Sequence, residues 1–360
     1  MMPITDVSYY LRYRDFAMLR RTMVALLVVV MLVSARDVTA QSSASAQAYF
    51  QKVGLSAEQI NSVKNGQAVA TSLNTRNGNE MFIFGAIFVS AAPETYLKFV
   101  DDYGRLRKLD EYIAIERFSA PPTLANLKGF EFDAEDIKAL KDCKPGDCDI
   151  QMPDMTMGQF RAKINFSDPN AASKANQFLQ QRALQRLVQY QKQGTISGLV
   201  YNDKKQPTDS VKEFKYLLSF SKMPEGLQGF YNYLVSYPKG APAGAKTWFY
   251  WAKVKFGLKP TLRVLQVVQM EKKAPAAPAY VIAEKQLYAS HYFATALDLT
   301  LLYRSEDPKK PGFFLVKLLG SEQDGLTGFK GSIVRKVAVD KSVSGLQKTL
   351  ASIKTELEQK

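Results

Sequence analysis

The strongest constraint on the fold comes from roughly the last hundred residues, where apolar runs of strand length follow one another and an amphipathic stretch closes the chain. The runs cover 248–256, 262–270, 280–304, 313–319 and 332–339, the third long enough for two strands. Loop chemistry separates them: Gly257 with Pro260, an Ala/Pro-rich stretch at 274–278, Pro308 to Gly312, and the glycines of 325–331. After them Val343, Leu346, Leu350, Ile353 and Leu357 recur at steps of three and four, which lines one face of a helix of about four turns. A sheet and a helix, each with an apolar face, must bury those faces against each other. The expectation is an α+β protein in which a curved antiparallel sheet grips a long C-terminal helix.

Residues 1–40 read as a targeting segment. Arg20 and Arg21 precede an uncharged run, 22–35, rich in Val, Leu and Met, and Val38-Thr39-Ala40 offers the small residues a signal peptidase cuts after. That run is short of the roughly 20 residues a spanning helix needs, so cleavage near Ala40 is expected, a retained anchor being the alternative. An exported protein, periplasmic or extracellular, follows. The two cysteines, Cys143 and Cys148, flank Lys-Pro-Gly-Asp, and Pro145-Gly146 supplies the turn that brings them within bridging reach. In an oxidising compartment they form a structural disulfide.

The chain carries 48 Lys and Arg against 34 Asp and Glu, and removal of 1–40 takes away five Arg and three Asp. A basic balance of this size permits contact with an anionic membrane surface. No basic-aromatic nucleic-acid motif accompanies it, so no nucleic-acid partner is expected. A phosphate-cradling glycine loop, a His-Glu-x-x-His helix and a Gly-x-Ser-x-Gly elbow are all missing from the sequence, and no cofactor is assigned.

After a Ser/Ala/Gln-rich flexible lead at 41–47, Ser56-x-x-Gln59 opens a short helix with a capping box. Residues 41–78 form an N-terminal helical lead. In 79–130, the run 80–90 is apolar on both faces, which fits a strand buried on both sides or one lining a cavity. Pro93 and Glu94 start a helix whose apolar face runs from Tyr96 to Leu106, and 112–118 is a second strand. Residues 131–238 read as a largely helical insertion or subdomain carrying the Cys143–Cys148 loop. Its helices begin at the acidic cluster Glu131 to Asp136, run through 171–193 and recur at 223–237, with 160–166 as a strand. Residues 239–360 complete the main sheet and the C-terminal helix.

The hydrophobic strand with Gly85, the Ala92-Pro93 helix start with Asp101 in that helix, and the late sheet closed by a long helix resemble the START-like, helix-grip superfamily of polyketide cyclases and lipid-transfer proteins. The resemblance implies a hydrophobic cavity between sheet and C-terminal helix that takes sterols, lipids or other apolar molecules. It transfers no catalytic residue.

Within 248–256, Trp248, Tyr250, Ala252, Val254 and Phe256 share one face and Phe249, Trp251, Lys253 and Lys255 the other. The expected cavity walls are Phe82, Trp248, Tyr250, Leu299, Leu346 and Ile353, with Tyr288 and His291 supplying polar atoms. His291 is the only histidine. Two functions compete: an exported binding protein for a hydrophobic small molecule or lipid, and a cyclase- or hydrolase-type enzyme with His291 as base and Tyr288 as donor. A third reading is an envelope interaction protein with a filled core and no ligand.

Overall fold

The structure is a computed structural model that describes residues 44–359 apart from 195–199, 221, 225, 258 and 273–276. The targeting segment and cleavage site read in 1–40 lie outside the described residues.

Two helices come first, α1 (Ala44–Val53) and α2 (Ala57–Lys64), then β1 (Val69–Leu73) and β2 (Glu80–Val89). The part of the flexible lead from 44 onward is therefore helical, because Ala46, Tyr49, Phe50 and Val53 fall at helical spacing and are all buried. The capping box forms on α2 as expected, Ser56 and Gln59 satisfying each other's backbone N–H groups. Next come α3 (Pro93–Asp101), α4 (Tyr103–Leu106) and β3 (Tyr112–Arg117). The single helix expected over 93–106 is broken at Asp102, whose side chain accepts from the Arg105 N–H and starts α4.

Residues 131–238 hold α5 (Ala134–Asp142), α6 (Asp154–Lys163), α7 (Ala171–Gln193), the small ribbon β4 (Val200–Tyr201) and β5 (Thr208–Asp209), α8 (Ser210–Phe220) and α9 (Gln228–Ser236). The strand expected at 160–166 is instead the end of α6 and the turn after it, where Met157 and Phe160 are buried at a helical step. Cys143 and Cys148 are disulfide-bonded. The loop they close is pinned to the ribbon by Gly146 N–H to Asn202 O and Cys148 N–H to Asp203 O.

The remainder is a meander of β6 (Lys246–Val254), β7 (Thr261–Glu271), β8 (Tyr280–Ala289), β9 (Phe293–Arg304) and β10 (Phe313–Gln323), followed by α10 (Gly328–Glu358). The strands join one open antiparallel sheet of eight in the order β1-β2-β10-β9-β8-β7-β6-β3. The N-terminal strands thus bracket the C-terminal meander, β2 on β10 at one side and β3 on β6 at the other. β2 is buried along its whole length, as its two-sided apolar sequence requires.

The strand expected at 332–339 does not form. Those residues extend α10 to 31 residues, and Ile333, Val334 and Val337 stand exposed with Phe329, which is 85 % accessible. Their β-branched side chains are carried on a helix stabilised further along. That stabilisation comes from Leu346, Leu350, Ile353 and Leu357, all buried against β1, β2 and α3, each contributing roughly 1.5–3 kcal/mol. Gly85 makes the close approach possible: a Cβ there would lie 2.7 Å from Leu346 and 2.8 Å from Leu350. Among the described residues no helix is long and apolar enough to cross a membrane.

Candidate functional site

Cross-strand register sets the floor of the site. On the face that carries α3, α4 and α10, one row across the sheet reads Ile83, Leu319, Asp298, Glu284, Val267 and Trp248, from β2 through β10, β9, β8 and β7 to β6. The next row places Gly85 beside Lys317, Thr300 and Ile282. Two carboxylates, an ammonium and a hydroxyl therefore interrupt an otherwise apolar surface at the middle of the sheet.

Above this floor α3, α4 and α10 leave a cavity of about 400 Å³. Its aromatic wall includes Phe99, Tyr103, Tyr112, Trp248 and Tyr250, and Ile353 reaches in from α10. Lys348, Thr349 and Ser352 of α10, with Glu111, form the accessible rim. The helical step of three to four sends Leu346 and Leu350 onto Gly85 while Ile353 borders the void, so one helix both clamps the sheet and roofs the cavity.

The polar groups are tied together. Tyr250 donates to Glu284, and Trp248 Nε1 donates to Tyr103 Oη at 3.0 Å. Arg117 stacks over Trp248, 5.0 Å from its ring centre. The Tyr250 hydroxyl is pushed well above its usual range by burial first and by Glu284 second. Burial alone would lower the Lys317 ammonium, but Tyr96, Glu284 and Asp298 outweigh it and hold the group above its usual value. Asp298 is raised from 3.8 to about 6, mainly by burial, with Glu284 adding to the rise and Arg263 and Lys317 opposing it. The void thus has an aromatic wall and a polar floor at which Tyr250, Glu284 and Lys317 meet.

Of the residues expected to wall the cavity, Trp248, Tyr250 and Ile353 border it. Leu346 sits beneath the same helix, packed on Gly85 rather than on the void. Phe82 and Leu299 are correctly placed in the core but on the opposite face, where both belong to the cluster covered by α1, α2, α8 and α9. Period-two alternation in β2 and β9 sends Ile83 and Thr300, their neighbours, to the cavity side.

Tyr288 and His291 are not at this site. Tyr288 borders a second cavity, described below. His291, in the β8–β9 turn, lines neither cavity. Its Nδ1 lies 3.0 Å from Asp149 O and its Nε2 3.0 Å from Asp136 Oδ2, in a buried cluster that also brings Lys259 near both aspartates. Each ring nitrogen lies within hydrogen-bond distance of an oxygen acceptor, so the imidazole is seated between α5 and the loop after Cys148, away from both cavities. Its role is to fasten α5 and the disulfide loop to the sheet. Asp136, read as an acidic residue favouring the helix start, is that histidine's buried partner. Glu284, Asp298 and Lys317 were not among the expected site residues, because only the register reveals that they meet.

Among the described residues no group of three or more His, Cys, Asp or Glu side chains gathers as a metal site. A scan against protein-family models gave no match for this chain, and a search of curated proteins gave no significant match.

Proposed function

We propose that this chain is an exported binding protein for a hydrophobic small molecule or lipid, held with one polar end on the sheet between the sheet and α10. The observation that carries the reading is the roughly 400 Å³ cavity under the C-terminal helix, a volume within the 300–1,000 Å³ typical of small-molecule sites. The driving force is desolvation, at roughly 25 cal/mol per Å² of apolar ligand surface removed from water. Tyr250, Glu284 and Lys317 give the polar end a fixed place.

In this reading the sheet grips α10 in the START-like manner, and the helices of 131–238 are an addition covering the other face. The disulfide and the apolar stretch near the N-terminus support an exported setting. The enzyme reading with His291 as base and Tyr288 as donor draws no support from this cavity, which neither residue lines.

Native mass spectrometry of gently purified protein tests the proposal. The expected result is a co-purifying apolar molecule, or a raised melting temperature with members of a lipid panel, and loss of either when Val267→Trp fills the floor. A folded protein with no bound molecule and an unchanged melting temperature across the panel would overturn it.

A further inference from the structure

The opposite face of the sheet carries its own void. Between β8 and the helices α7, α8 and α9 lies a second cavity of about 130 Å³, separated from the first by the thickness of the sheet. Its walls are apolar and aromatic, with Phe130, Leu179, Leu187 and Phe214 prominent. Four basic side chains also line it, the buried Lys285, the partly buried Arg182 and Arg186 and the exposed Lys215, and among the described residues no acidic one does.

None of the four has an ion-pair partner among the described residues. Lys285 is only 6 % exposed. Its ammonium has three donors and two protein acceptors, Leu234 O at 2.8 Å and Tyr190 Oη at 3.3 Å, and it lies 4.3 Å from the centre of the Phe214 ring. Arg186 is held by Thr156 Oγ1 at 2.8 Å, and Arg182 Nε is buried with no partner. An ammonium buried as Lys285 is, without a counter-charge, is costly: it either gives up its proton or takes a paired anion. Burial, with Lys215 adding to it, pushes Lys285 down to about 7, as expected of an ammonium lacking that anion.

The volume bounds the guest. An apolar cavity of about 150 Å³ accepts benzene, so this one holds one ring or a chain of about six carbons. We infer that the second cavity binds a small apolar monocarboxylate, its acid group neutralising the Lys285 and Arg186 side and its hydrocarbon body lying against Phe214 and Leu187. Nothing in this depends on the occupant of the larger cavity.

The test is calorimetric titration of the whole chain with benzoate and hexanoate against their neutral isosteres, benzamide and hexanamide. The carboxylates are expected to bind at least tenfold more tightly than the amides, and the tighter of the two identifies an aryl or an aliphatic acid. At pH 8 binding should take up a proton, seen as a heat that varies with the ionisation enthalpy of the buffer. Lys285→Met should abolish that uptake and weaken carboxylate binding at least tenfold while leaving amide binding unchanged; Val267→Trp, on the other face, should change neither. Should Lys285→Met fail to fold, Arg186→Gln is expected to weaken the carboxylates severalfold and spare the amides. Amides binding as well as carboxylates, variants binding like the parent, or no saturable heat from any of the four probes would each overturn the inference.

Discussion

Asp298→Asn probes the polar centre of the sheet beside the cavity, where Asp298 stands opposite the cavity-lining Glu284. In the folded chain the Asp298 carboxyl ionises at about 6 rather than at 3.8, because burial withholds water from the charged form and Glu284 stands directly opposite on β8. A raised carboxyl binds its proton more tightly in the native than in the unfolded state. Its contribution is therefore neutral below about pH 4 and turns destabilising as pH rises through the window from 3.8 to about 6. At about 1.4 kcal/mol per pH unit, the full penalty above that window is at most about 3 kcal/mol. Asparagine cannot ionise. Urea unfolding from pH 4 to pH 8 should show the parent losing stability between pH 4 and about 6.5 relative to the variant. By pH 7 to 8 the variant should lead by up to about 3 kcal/mol, or roughly 4–5 °C in melting temperature for a chain of this length. The difference between the two curves isolates this residue from every other titrating group. If the curves run parallel over the whole range, Asp298 is not desolvated beside Glu284 as described.

Gly85→Ala would drive a methyl group to within 2.7–2.9 Å of Leu346 and Leu350, well inside the 3.5–4.0 Å of ordinary carbon contact. A loss of about 1–3 kcal/mol in thermal unfolding is expected, and an unchanged melting temperature would show that α10 does not seat on β2 through this glycine. His291→Gln should lower stability by about 1–3 kcal/mol through lost buried bonds and leave ligand retention under α10 intact. Lost retention at full stability would return His291 to the site. Replacing Cys143 and Cys148 with serine opens a loop of only six residues, so the urea midpoint should fall by an amount corresponding to about 2 kcal/mol or less.

The sequence was most legible where one signal acted alone. The helix Ala171–Gln193 has its expected bounds, the capping box at Ser56 formed, and the runs at 248–256, 262–270, 280–304 and 313–319 became the meander. Errors arose where local composition pointed away from the packing that decided the outcome. Ser332 to Val339 is β-branched enough to imitate a strand, yet it continues a helix anchored by Leu346 and Leu350. The composition of the Ser/Ala/Gln stretch alone signals flexibility, and only Tyr49 and Phe50 beyond it give α1 its buried side. β1 and α8 were missed since Val69 to Leu73 is a partly exposed edge and the buried Phe214 and Leu217 are interleaved with Lys and Glu.

For the site, Trp248, Tyr250 and Ile353 could be read from alternation and helical spacing. Phe82 could not, because a strand apolar on both sides carries no information about which face meets the cavity. The charged floor draws on β8, β9 and β10, and a linear sequence does not state which residue of one strand stands opposite which residue of the next.

Glu284 and Lys285 are consecutive, opposite in charge, and point to opposite sides of one strand. Inserting or deleting a single residue within β8 would swap them, sending an acid in among the guanidinium groups and an amine to the place opposite Asp298. Length variation must therefore be absorbed in the connections or in a bulge such as the one β8 makes at Leu287, and a homologue with an uncompensated change of count before Glu284 would have inverted chemical preferences on both sides at once.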